Sequence, residues 1–131
     1  RSEIIFYMKN PVRNLVAVSA ANPNTAAEAR AAVLALAKTK DPEGATEDAA
    51  GRVVFTVEWE PAFKELKELS TGRKEVTITL YGEAFAKQHW ISKTIYQGGK
   101  ATEEGTYSRI DGEMFRRVYQ EIFGEAYAAK N

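Results

Sequence analysis

The residue best suited to chemistry is His89, the single histidine of the chain and the one side chain whose ordinary pKa lies near neutrality. A neighbouring carboxylate would fix its tautomer and orient the ring for proton transfer, and Glu83, Glu58 and Glu60 are the candidates. His89 and Glu83 are the catalytic pair expected if the protein is an enzyme. The plainer alternative is a half-buried histidine with no catalytic role, and the residue pattern alone favours it. Cysteine is absent, which removes thiolate catalysis, disulfides and cysteine-based metal sites. With one histidine, a transition-metal site would need carboxylates from separate elements, so no metal is expected. No cofactor is expected either. Neither GxGxxG nor GxxxxGKS/T occurs, and Gly98-Gly99-Lys100 reads as a hairpin tip rather than a phosphate loop.

The stretch from 82 to 110 holds most of the remaining candidates. Tyr81, Phe85, Trp90, Tyr96 and Tyr107 are expected to supply a ligand- or partner-binding surface. Strand alternation would turn His89 away from Trp90, so the two need not share a pocket. Lys87, Lys93, Lys100 and Arg109 interleave with Trp90, Tyr96 and Tyr107 as in stacking surfaces for single-stranded nucleic acid. Charge speaks against that partner: 18 basic side chains balance 18 acidic ones and the pI is near 6.8. The balance is uneven, with six basic and two acidic residues over 1–40, and three basic and eight acidic over 41–70. Oppositely charged segments of this kind can dock partners.

These residues need elements to position them. Glu3 to Met8 and Leu15 to Ser19 read as strands closed by Asn10-Pro11 and Asn22-Pro23-Asn24. Thr25-Ala-Ala-Glu28 matches a capping box and predicts an alanine-rich helix to about Lys38. Residues 41–51 read as an acidic, mobile loop. Arg52 to Trp59 is a strand with Val53, Phe55, Val57 and Trp59 on one face. Glu60-Pro61 opens a short helix carrying Phe63, Leu66 and Leu69, stopped at Ser70-Thr71-Gly72. Glu75 to Tyr81 alternates as a strand, Gln88 to Tyr96 resembles another, and Thr106 to Ile110 could return beside it. Glu83 to Lys87 fits a helical turn or a long hairpin equally well. Asp111 is a suitable N-cap for a last helix whose stripe runs from Met114 to Tyr127.

The order β-β-α-β-α-β-β-β-α predicts one α+β domain over 1–131. The expected form is a single two-layer domain, a mostly antiparallel sheet of five to six strands with two to three helices packed on one face. The Leu15–helix–Val53 stretch could form one right-handed parallel crossover. At 131 residues, 44% apolar and 27% charged, the chain can bury its own core. No apolar run reaches the roughly 20 residues of a membrane span. The lack of cysteine suits a reducing compartment, cytoplasm or organelle interior. The opening on Arg1 predicts that a leader, tag or longer parent was removed.

Two short stretches resemble known families. Phe115-Arg-Arg-Val-Tyr-Gln-Glu-Ile-Phe-Gly124 resembles the opening helix of phycobilisome linker domains. Glu75-Val-Thr-Ile-Thr-Leu-Tyr-Gly82 resembles a strand of the small sulfur-relay proteins, whose active members work through a cysteine that is absent here. Amphipathic helices and alternating strands share such patterns in general, and no family is assigned on them. The first functional reading is a non-enzymatic binding domain, a small accessory or structural subunit with a protein partner or a second copy. The alternative is a small-molecule-binding cone lined by the aromatic set, which could extend to a cofactor-free acid–base enzyme of isomerase or cyclase type using His89.

Overall fold

The computed structural model describes residues 10–85 and 88–128. The class is the one expected, α+β, with a six-stranded antiparallel sheet and three α-helices among the described residues. Strand β1 (Pro11–Ala20) leads into helix α1 (Pro23–Lys40), followed by β2 (Thr46–Glu47) and β3 (Val53–Glu58). Helix α2 (Phe63–Thr71), strands β4 (Val76–Ala84), β5 (Trp90–Gln97) and β6 (Lys100–Ser108), and helix α3 (Glu113–Phe123) complete the order. The sheet order is β2-β3-β1-β4-β5-β6. The strand expected over Glu3–Met8 lies outside the described residues.

Several local expectations are corrected. Helix α1 starts ahead of the Thr25 capping box. Asn22 is its cap, accepting from the Asn24 and Thr25 amides at 2.8 and 3.4 Å, with Pro23 in the first turn. Asparagine caps at least as well as threonine, and proline loses nothing at that position, so the earlier start gains hydrogen bonds. Asp111 falls in a 3-10 turn (Arg109–Asp111), and Gly112 stands at the cap position of α3.

The supposedly mobile 41–51 segment is tied down by its own carboxylates. Asp41, buried, accepts from Gly44 N at 3.0 Å and Thr56 N at 2.9 Å. Asp48 accepts from the amides of Ala50 and Arg52 and from the Arg52 side chain. Between them Thr46–Glu47 pairs antiparallel with Val53–Val54. The chain thus climbs back along the edge after α1, so β3 enters beside β1 antiparallel (Val12↔Val57, Val16↔Val53), not as a parallel crossover.

The helices do not share one face. Val16, Val53, Phe55, Val76, Ile78, Leu80 and Tyr96 pack under α1 and α2, with Ala29, Val33, Ala37 and Leu66. The alternate set, Leu15, Val54, Tyr81 and Ile91, packs on the other side against Phe115, Val118 and Ile122 of α3. Period-2 alternation makes these opposite faces of one sheet, so the molecule has three layers instead of two. On the two-helix side, Asn14 spends its buried amide on the backbone. It donates to Phe55 O and accepts from Ala62 N at 3.0 Å, which fixes the entry to α2. Gly82 leaves room there for the α2 entry loop, since an added Cβ would lie 2.6 Å from Pro61 Cγ.

The α3 side is anchored by charge. Arg52 donates to Ile122 O at 2.7 Å, serving a carbonyl left open at the helix C-terminus. Glu121 accepts from the Tyr81 hydroxyl and pairs with Lys93 at 2.7 Å. The β5–β6 turn has Gly98 and Gly99 at φ 58° and 79°, the left-handed pair that a two-residue hairpin requires.

Candidate functional site

The two faces are covered unequally. Six strands span about 24 Å, and helix α3, at about 16 Å long, covers only part of its side. The uncovered remainder is an open cleft of about 1210 Å³. Arg13 and Pro11 of β1, Val54 and Thr56 of β3 and Glu83 of β4 form its floor. Phe85, His89, Arg109, Tyr119, Phe123 and Tyr127 line it from the side of α3 and the sheet end, and residues 43–46 line it at the β2 edge.

His89 and Glu83 meet in this cleft. Strand β4 ends just after Glu83 and β5 begins just after His89, so the two adjacent strand ends bring the residues together. His89 Nε2 lies 2.8 Å from Glu83 Oε2, with side-chain exposures of 11% and 6%. Glu83 Oε1 faces Arg13 at 3.7 Å, its direct cross-strand neighbour. A carboxylate removed this far from water must be held by such partners. Because it can only accept, the geometry places the proton of neutral His89 on Nε2 and leaves Nδ1 as the acceptor nitrogen. Aromatic rings surround the imidazole: Phe85 stacks on it at 4.2 Å, while Phe115, Tyr127 and Tyr119 stand 5.0, 5.7 and 6.1 Å away. Burial, with help from the carboxylates of Glu125 and Glu83, raises the Tyr119 phenol above its ordinary pKa.

The other candidates fall in different places. Glu58 ends β3 and Glu60 follows it; both line a separate small cleft with Lys40 and Glu65, away from the cleft that holds His89. Tyr81 and Tyr107 belong to the α3 side, and Tyr81 is committed to Glu121. Burial and that carboxylate raise its phenol well above the usual tyrosine range. Tyr96 packs under α1 and α2, where burial and then Glu104 push its phenol up to about 12. Trp90 shares that parity, while Phe85 stands at the sheet end, so the five aromatics do not line one cavity. Lys93 is engaged by Glu121 and Glu103, which separates it from Trp90 and Tyr96 on the opposite face. Lys87 lies outside the described residues.

Sequence reasoning missed Arg13, Tyr119, Phe123 and Tyr127 as members of the cleft. Arg13 carried a usable signal, a lone charge next to an apolar central strand. Among the described residues, no group of three or more metal-ligating side chains occurs, and no helix is long and apolar enough to cross a membrane. Comparison with known proteins returns no matching family model, no matching curated protein and no matching solved structure.

Proposed function

We propose that this domain works by binding, as a small accessory or structural subunit of a protein assembly. The observation that carries this reading is a row of large apolar side chains at one end of the sheet. Trp59, Phe85 and Ile110 are 62%, 66% and 80% exposed. They follow β3, β4 and β6 respectively, and these strands all finish at the end where β1 and β5 begin. Exposed Met114 opens α3 at the same end. Clustered apolar side chains of this size mark interaction surfaces, whereas scattered ones do not. Trp59 adds a second sign, for it holds φ at 74°, a left-handed value that an aromatic residue adopts only under constraint.

The test compares wild type with a Trp59→Ser, Phe85→Ser, Ile110→Ser triple variant, by light scattering on a sizing column and by affinity capture from the native source. The reading expects self-association or a stoichiometric protein partner that the folded variant loses. A monomer that retains no partner, or a partner held equally by both, contradicts it. The buried Glu83–His89 pair on the cleft wall favours a second reading, a small-molecule site with acid–base capacity. His89→Gln and Glu83→Gln variants would then lose ligand affinity or turnover together.

A further inference from the structure

The cleft beside α3 combines open cations with an aromatic wall. Arg13 is 47% exposed and has a single partner among the described residues, Glu83, at the long distance of 3.7 Å. A guanidinium offers five donors, so among the described residues most of those on Arg13 are not engaged. Arg109 is exposed and lines the cleft, and its backbone amide donates to His89 O at 3.1 Å, which ties the two backbones together. The buried carboxylate of Glu83 already serves both His89 and Arg13 and offers little to a ligand. The other carboxylate in the lining, Glu43, precedes β2 at the opposite edge of the sheet from β6 and Arg109. Among the described residues that line the cleft near His89, the accessible charges are therefore positive, with the Glu125 carboxylate acting on Tyr119 from outside the lining. Around His89 stand Phe85, with a stacked inner face and much of the ring open, and Tyr119, Phe123 and Tyr127.

We propose that this part of the cleft is a binding site for a small planar-ring carboxylate. The ring packs against Phe85 and the Tyr119–Tyr127 wall, and the carboxylate takes the free donors of Arg13, with Arg109 adding positive charge at the mouth. Arginine suits this role because its planar fork matches a carboxylate. The proposal names a ligand class for the cleft; it shares Phe85 with the protein-docking reading, whose other two residues, Trp59 and Ile110, stand outside the cleft lining.

The test titrates isotope-labelled protein with 2-naphthoate, 2-naphthol and 2-naphthylmethylammonium, followed by amide NMR. Saturable shifts at Arg13, Phe85 and Tyr119 are expected with naphthoate, which binds at least about tenfold tighter than the other two, as one charge-assisted hydrogen bond would give. Arg109→Gln and Phe85→Ala each weaken naphthoate severalfold. Arg13→Gln weakens it about tenfold, and Arg13→Lys restores only part of the loss, since an ammonium cannot form the bidentate pair. Should Arg13→Gln fail to fold, Arg109→Gln and the ligand series still decide. Equal binding of all three compounds, preference for the ammonium, or no saturable shift overturns the proposal. A Trp59→Ser, Ile110→Ser variant that keeps Phe85 leaves the cleft lining intact, so its partner capture reads the docking reading separately from each of those results.

Discussion

The two faces of the sheet solve the same packing problem to different degrees. Under α1 and α2 the centre of the sheet is closed, with a smaller cleft of about 600 Å³ between α2 and the β5–β6 hairpin: Phe55, Leu66, Ile78 and Leu80 have no solvent contact, and Lys40 links α1 to α2 through Glu65 at 2.9 Å. That hydrogen bond lowers the Glu65 pKa despite partial burial. On the other face one short helix covers the Leu15–Ile91 patch and stops, and polar side chains take over where coverage ends. Arg13, Glu83, Thr56 and His89 all lie in or beside that gap. The first face is covered over most of its apolar centre, and the second leaves the larger opening, where the proposed binding would take place.

This difference can be broken from either side. Phe55→Ala removes a fully buried ring from the two-helix face and is expected to cost about 3–5 kcal/mol in denaturant unfolding. Tyr119→Ala, on the half-buried cleft wall, should cost no more than about 2 kcal/mol, because less apolar area leaves water there. Similar losses at both positions would erase the distinction.

Arg52→Ala tests the anchor of α3, removing its bond to Ile122 O and its side-chain pairing with Asp48; burial raises the Asp48 pKa, but the amide and side chain of Arg52 outweigh it and lower the value. A loss of about 1–2 kcal/mol is expected. Hydrogen exchange should accelerate in the last turn of α3 and leave α1 unchanged. Trp59→Asn bears on the proposed binding end. Asparagine tolerates the left-handed backbone, so stability should rise by up to about 1 kcal/mol while partner capture falls.

The smallest expected effect concerns pH. Burial raises the pKa of Glu121, but the hydrogen bonds from Lys93 and Tyr81 outweigh it and bring the pKa below the usual glutamate value. A group with a depressed folded pKa stabilises the native state above its unfolded pKa and loses that contribution as pH falls through the folded value. Lys93 is shifted upward by the same contacts, against its desolvation. Its contribution is present below the unfolded lysine pKa and is lost as pH rises from there through the folded one. The stability gap between wild type and Glu121→Gln should therefore be flat near neutrality and close under acid, a change readable by thermal unfolding across pH.

Much of the fold was legible because alternation and capping are local. The strand at Val53–Glu58, the α2 stripe of Phe63, Leu66 and Leu69, and the Gly98-Gly99 turn all follow from neighbours in sequence. The placement of α3 was a long-range matter, yet it had a trace. Leu15-Val16 and Val53-Val54-Phe55 are apolar on both parities, the mark of strands buried on both faces. Reading only one parity produced the two-layer expectation. In the cleft, the Glu83–His89 contact was anticipated among several carboxylates, but only the β4–β5 register could select Glu83 over Glu58 and Glu60. The same alternation divides Tyr96 and Trp90 from Tyr81 and Tyr107, which a list of nearby aromatics in sequence does not reveal. Asp41 illustrates a further blind spot. Its acidic neighbourhood read as solvated loop, while the side chain turned inward to serve the exposed edge of β3.

Side-chain footprinting of the captured assembly against the free protein tests the central claim most directly, that the open end beside α3 is the working surface. The account predicts that labelling of Trp59, Phe85, Ile110 and Met114 falls severalfold in the assembly, while residues on the outer surfaces of α1 and α2 label as before. Unchanged labelling at those four positions, or protection confined to α1 and α2, would contradict it.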